Sequence, residues 1–387
     1  MRQNIHTAIL CLTHRCNLNC VYCFENKDVN HELSFNEARK CIDQIVQEHC
    51  LTHNKAINLN FFGGEPLLRF KLIKDIFNYV QIRYPKCDIS FFASTNGTIL
   101  TEEMKAWFTE RKEKFCLGLS LDGDRDTQNY NRSNSFDKID IQFFTRTWPN
   151  QFFKLTISEY SVQNYAHDVK FIHSFGVGIN GGDVCVGEYL WNNEQFYYVF
   201  AKQLLELVDY YENNSQFKNN LFELDLAVCT MSHDDKKCCG CGTSLSYYET
   251  DGKKYPCTFI APMAFSMTEL QTMLAVNYDD PKNFTDKKCK ENCYLYNICR
   301  TCAAENYMLH KRFDVYNKRN CGLKKIIVLA VAELQARRIA KNPQIYEATK
   351  IYHTIEAIKK IKELYLSEYG KYFMEDAENP KKSRQNC

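Results

Sequence analysis

Cys16, Cys20 and Cys23 lie in the segment CLTHRCNLNCVYCFE, residues 11–25, with three and then two residues between them. Thiolates bind zinc and iron–sulfur clusters, and closed sites of either kind take four protein ligands. Zinc sites usually pair two CxxC knuckles, and no second pair stands nearby. On a [4Fe–4S] cluster, three thiolates would hold three irons and leave the fourth open to a small molecule.

Such a loop needs a scaffold to hold it. Short apolar runs read as buried strands at residues 7–13, 56–62, 88–94, 115–121, 153–158 and 176–180. Amphipathic helical spacing falls between them, at 67–84, 101–111 and 161–175, and Ser34 to Glu37 reads as a capping box opening a helix through about residue 49. Six βα units predict an α/β fold with a parallel sheet, open or closed toward a barrel. Parallel folds place their chemistry at the carboxyl ends of the strands. The first strand runs into the three cysteines; the next three end in GGEP (63–66), TNGT (95–98) and SLDGD (120–124). In a parallel sheet all four would line one rim.

CxxxCxxC just after a first strand, with Tyr22 before the last cysteine and GGEP and SLDG following in order, resembles the radical S-adenosylmethionine (SAM) enzymes. The resemblance implies a partial (β/α)6 TIM-type barrel over residues 1–215, with the open iron chelating the amino and carboxylate groups of SAM. It implies cofactor-binding roles for Tyr22, Gly63, Gly64, Glu65, Asn96, Ser120, Asp122 and Arg132. Gly63 and Gly64 lack a Cβ and let a strand edge approach the ligand. Glu65 and Asn96 are polar partners, Ser120 and Asp122 match positions near the nucleoside and methionine ends, and the Arg132 fork suits a carboxylate. Read from the residues alone, the alternative for Glu65 is a structural cap, and for Ser120 and Asp122 a plain turn.

Residues 229–321 hold ten of the twenty cysteines. SYYETDGKKYPC reads as a hairpin with Asp251-Gly252 in its turn. The GxxxxC spacing from Gly252 to Cys257, the run CKENCYLYNICRTC and a closing Cys321 resemble the SPASM extension of some radical SAM enzymes. That resemblance implies two auxiliary [4Fe–4S] clusters over residues 229–325, hence three clusters plus SAM. Cys289, Cys293, Cys299 and Cys321 would hold the outer one. Cys239, Cys257 and Cys302 would hold the inner one, with Cys241, Cys238 or Cys229 as its fourth ligand. The extension usually reads CxxC-x5-CxxxC, whereas this chain has CxxxC-x5-CxxC. A zinc ribbon is the alternative that CGCG and CRTC allow. A helical pattern at 192–214 precedes this region, another at 323–366 follows it, and 326–387 reads as a C-terminal helix and disordered tail.

The net charge of +2 over 387 residues gives no reason to expect nucleic acid or an anionic membrane. No apolar stretch approaches the roughly 18 residues of a spanning helix. No signal peptide precedes the first motif, so clustered thiols point to metal in a reducing, cytoplasmic setting. The family resemblance implies radical abstraction of hydrogen from a ribosomally made precursor peptide or a protein, leaving an oxidative thioether or carbon–carbon crosslink. It also implies a flavodoxin- or ferredoxin-type electron donor. The chain starts its barrel at once, so a leader-binding module is expected as a separate protein or not at all. One alternative is an anaerobic sulfatase-maturating enzyme, whose group commonly carries Asp where this chain has Thr258. Another is a non-catalytic iron–sulfur electron carrier, for which GGEP would have no use. The catalytic base is not legible: Asp183, Glu188 and Asp225 are acids of the right kind, but each reads first as surface or structure.

Overall fold

The computed structural model describes residues 5–25, 31–184 and 193–374. Among these are eight strands: β1 (Ile5–Thr13), β2 (Ala56–Gly63), β3 (Ile89–Thr95), β4 (Phe115–Leu119), β5 (Phe152–Ile157), β6 (Gly178–Val184), β7 (Leu245–Tyr248) and β8 (Lys254–Tyr255). The chain forms two compact units. The first comprises residues 1–121, 128–152 and 239–283, and the second 122–127, 153–238 and 284–387.

In the first unit, six strands form one sheet in the order β4-β3-β2-β1-β7-β8. All neighbours are parallel except the hairpin pair β7 and β8. β1 has a strand on each side and is buried at every position from Ala8 onward, as expected of a parallel strand covered on both faces. Phe61, Phe91 and Phe115, on three adjacent strands, stack with centroids 5.8–6.2 Å apart. The capping box at Ser34 and Glu37 is present and opens helix Phe35–Ile45, which passes into a π turn at Val46–Leu51. The expected hairpin also forms. Glu249 N–H donates to Lys253 O and Gly252 N–H to Glu249 O. Its first strand pairs with β1, Thr7 to Leu10 against Leu245 to Tyr248, which no local pattern announced.

The second unit contains β5 and β6, which form a two-stranded sheet, and helices Tyr165–His173, Glu194–Asn213, Cys321–Lys341 and Ala348–Tyr369. The single helical pattern expected at 323–366 is two helices. Pro343 forces Asn342 out of helical geometry, to φ −142°, ψ 91°. Arg337 fastens the first of these helices to Asp209 and Glu212, at 2.6 and 3.3 Å. No helix among the described residues is long and apolar enough to cross a membrane. The tail expected to be disordered, 375–387, lies outside the described residues, as does Glu188.

Candidate iron–sulfur and SAM site

The parallel order places the carboxyl ends of β1 to β4 on one edge, where Thr13 pairs with Gly63 and Thr95 with Leu119. The cysteine loop leaves β1 there and is fastened on both flanks. On one side, Gly64 N–H donates to Thr13 O and Glu65 N–H to Arg15 O, both 2.9 Å. On the other, Asn19 N–H donates to Ser133 Oγ at 2.8 Å and Val21 N–H to Asn131 O at 3.0 Å. Gly63 and Gly64 have a packing role of their own. A Cβ at Gly63 would lie 2.0 Å from Thr13 O, and one at Gly64 2.4 Å from Arg15 O. The pair allows the start of the cysteine loop to lie directly on β2.

Glu65 is buried and its carboxylate is committed to the scaffold. Oε1 accepts from Leu67 N–H at 3.1 Å and Thr95 Oγ1–H at 2.9 Å, and Oε2 from Asn96 N–H at 2.8 Å. It thereby caps the turn Pro66–Arg69 and ties β2 to the end of β3. Burial raises its pKa to about 7, against the opposing pull of those bonds and of the Arg132 charge. A carboxyl with a raised folded-state pKa contributes stability below its ordinary value of 4.5, and that contribution is lost as pH rises through about 7. Glu65→Gln is therefore expected to flatten the fall in stability across that window. Urea midpoints at about pH 5 and about pH 7.5 check this, and an unchanged slope contradicts it.

Asn96 donates through Nδ2 to Asn17 Oδ1 at 3.0 Å, with the same nitrogen 3.9 Å from Cys16 Sγ. Leu18 N–H also points at Cys16 Sγ, 3.4 Å away. Cys16 and Cys20 are half-buried and Cys23 is exposed, none of them in a disulfide. Thiols presented this way, with N–H donors aimed at sulfur, fit a [4Fe–4S] cluster with one open iron. The buried Arg132 guanidinium lies 5.4 Å from the centre of the Tyr22 ring, a cation–π contact inside the cysteine loop. Ser120 is buried, its N–H donating to Thr95 O at 3.0 Å. Asp122 falls in the second unit, where Oδ1 accepts from Thr156 N–H at 3.0 Å.

A second group of thiols belongs to the first unit. The Cys241 thiol is hydrogen-bonded to Cys239 and Cys257, which pushes its pKa far up, while the bond from Cys241 lowers that of Cys257. Gly242 N–H holds this turn to Leu245 O and Pro256 O, at 3.1 and 2.9 Å, so the hairpin positions all three. In the second unit, burial raises the Cys289 pKa to about 12 and that of Cys299 to about 11, with Cys293 and Cys321 adding negative charge at both. Cys238 Sγ lies 3.7 Å from Cys299 O. Cys229 is buried, with Cys293 among the charges that raise its pKa. Cys302 occupies the position just before helix Ala303–His310 in the same unit. Crowded thiols with raised pKa values bind protons tightly, and a metal that displaces those protons relieves the crowding. Both groups fit clusters. Asp225 is exposed, caps Leu226–Thr230 and pairs with Lys350 at 2.9 Å, a structural role. Asp183 lies on β6, its side chain outside the described set.

The mixed α/β chain thus carries a three-cysteine loop at the carboxyl edge of a parallel sheet and further thiol groups on each unit, donor sets of the kind iron–sulfur clusters use. Residues 10–140 match the radical SAM superfamily. An uncharacterised protein of Methanocaldococcus jannaschii is 37% identical over 123 residues, 32% of this chain and 41% of that protein. The cysteine-type anaerobic sulfatase-maturating enzyme of Clostridium novyi is 25% identical over 327 residues, 75% of this chain and 85% of that enzyme. Among solved structures, anSMEcpe with bound AdoMet has a TM-score of 0.64 at 18% identity, covering 91% of this chain and 98% of that one. SuiB of Streptococcus suis bound to precursor peptide SuiA has a TM-score of 0.55 at 16% identity, covering 81% and 75%. Residues 10–140 thus resemble a radical SAM domain, and the chain shares the fold of these two structures.

Proposed function

We propose that this enzyme is a peptide maturase that removes hydrogen from a ribosomally made precursor and leaves an oxidative thioether or carbon–carbon crosslink. The observation that carries this reading is the presence, in one compact unit, of both the Cys16, Cys20 and Cys23 loop and the Cys239, Cys241 and Cys257 group. A reductive radical site needs only the first. An oxidation of substrate also needs somewhere for an electron to go, and the second group supplies it. When bound, a [4Fe–4S] cluster with SAM supplies one-electron reductive cleavage of the sulfonium and a hydrogen-abstracting carbon radical. The protein's share is placement. Cys16, Cys20 and Cys23 are the ligands, and Asn96 steadies Cys16 from the end of β3. Arg132, oriented by Tyr22, offers its fork to the cosubstrate carboxylate.

Residues 229–325 are proposed to carry two auxiliary clusters, giving three in all. Cys289, Cys293, Cys299 and Cys321 form the proposed outer ligand set, and Cys239, Cys241 and Cys257 belong to the proposed inner one. A flavodoxin- or ferredoxin-type protein is the proposed electron donor. The fold likeness to SuiB with its precursor peptide supports the peptide reading. The Clostridium novyi relative favours a second reading, formylglycine formation on a sulfatase. Thr258, standing where that group commonly has an acid, weighs against it.

Reconstituted enzyme with SAM and reductant separates the two. A cysteine-containing precursor that loses two hydrogens and resists alkylation supports the crosslink, whereas a hydrazide-reactive aldehyde supports the sulfatase reading. SAM left intact by cluster-filled enzyme would overturn both. Arg132→Ala is expected to weaken SAM binding at least about tenfold, roughly 1.4 kcal/mol, with Arg132→Lys restoring only part of it. Equilibrium dialysis measures this, and equal affinity in all three proteins contradicts the assignment.

A further inference from the structure

One buried group in the first unit carries ligand chemistry that the proposed reaction does not use. Cys11 on β1, His14 just beyond it and Glu249 at the end of β7 are 0%, 3% and 8% exposed. One ligand atom from each, a sulfur, a ring nitrogen and a carboxylate oxygen, lie within 4.8 Å of one another. Cys11 Sγ is 3.8 Å from His14 Nε2, and His14 Nε2 is 2.7 Å from Glu249 Oε1. Thiolate, imidazole and carboxylate are the three ligand types of protein zinc. At zinc–ligand lengths of about 2.0–2.3 Å, tetrahedral ligand atoms stand roughly 3.3–3.7 Å apart. Cys11 and His14, at 3.8 Å, stand within a few tenths of an ångström of that spacing, and His14 and Glu249, at 2.7 Å, have to part by about 0.6 Å.

The surroundings supply a second, independent observation. Glu25 Oε2 lies 2.8 Å from His14 Nδ1, its side chain only 4% exposed, and its buried Oε1 has no hydrogen-bond partner among the described residues. Both ring nitrogens of His14 therefore face carboxylates. A neutral imidazole has one N–H and can donate to only one of them. The other nitrogen needs a second proton or a metal cation. A carboxylate behind a histidine is also the arrangement that fixes tautomer and ring orientation in zinc sites. Tyr247 Oη–H and Thr250 N–H hold Glu249 in turn, at 3.1 and 2.7 Å.

We propose that Cys11, His14 and Glu249 bind one zinc ion per chain, apart from the iron–sulfur cysteines. Binding forms bonds from zinc to Cys11 Sγ, His14 Nε2 and a Glu249 carboxylate oxygen. The Cys11 thiol proton and the proton between His14 and Glu249 leave as the dication arrives. Two protons exchange for two positive charges, with no redox change, and Glu25 keeps the Nδ1 proton. The ion ties the strand that enters the cysteine loop to the strand that begins the Cys257 hairpin. This goes beyond the peptide-maturase reading and stands without it.

The test is metal analysis of full-length enzyme after anaerobic cluster reconstitution, incubation with zinc and gel filtration. About one zinc per chain is expected in the wild type, with a first shell of one sulfur plus nitrogen and oxygen at the zinc X-ray edge. In Cys11→Ser and Glu249→Gln, zinc is expected to fall at least about tenfold, with iron content and far-ultraviolet circular dichroism unchanged. Zinc retained in the variants, an all-sulfur shell, or wild-type enzyme that takes up no zinc would overturn the proposal. Should either variant fail to fold, the wild-type edge spectrum decides alone.

Discussion

Gly63→Ala is expected to destabilise the first unit by on the order of 4 kcal/mol, a large share of a domain's whole stability. Two costs combine at this position. Its φ of +139° is one that side-chain-bearing residues rarely adopt, and the added Cβ would meet Thr13 O at 2.0 Å and Thr13 N at 3.2 Å. Both atoms are backbone, so no rotamer change relieves the clash. Separating β2 from β1 instead would break the bonds from Gly64 and Glu65 to Thr13 and Arg15, which fasten the cysteine loop. Gly176→Ala is the control, because Gly176 also has positive φ, +78°, but open space around it. That variant carries backbone strain alone, about 1 kcal/mol. Urea melts of both compare the two costs, and equal losses would contradict the close-packing account.

Replacing Cys239, Cys241 and Cys257 together by alanine is expected to divide the reaction. SAM cleavage should continue, since the Cys16 loop keeps its bonds to β2 and to residues 131–133, and its contact with the hairpin, His14 to Glu249, does not involve these three cysteines. Formation of modified peptide should fall by about a hundredfold or more, roughly 3 kcal/mol in barrier terms. Counting 5′-deoxyadenosine and peptide product in the same reaction gives the ratio directly. A variant that loses both in parallel would show that the second thiol group supports the fold rather than the oxidation.

The strands that position the site were legible because each is a short buried run ending in a motif, and parallel order then places those ends on one edge. The capping box at Ser34 and the turn at Asp251-Gly252 were legible because their signals are local. What escaped was non-local. β7 joins β1 across more than two hundred residues, and a strand of four residues carries no mark of its partner. His14 and Glu249 are 235 positions apart, so nothing near either one predicts their contact. Glu65 shows a different limit. Its motif marked it as important, but only the structure reveals that Leu67, Thr95 and Asn96 occupy its carboxylate. The break before Ala348 was visible as Pro343, yet helical periodicity on both sides concealed it.

Cys16, Cys20 and Cys23 are proposed to hold a SAM-cleaving cluster, and residues 229–325 two auxiliary ones. Iron and sulfide per chain, measured after anaerobic reconstitution of wild type and of the Cys16→Ala/Cys20→Ala/Cys23→Ala variant, test it most directly. About twelve irons falling to about eight, with reductive SAM cleavage abolished, is the predicted result. Unchanged iron in the variant, or SAM cleavage that survives it, would contradict the assignment.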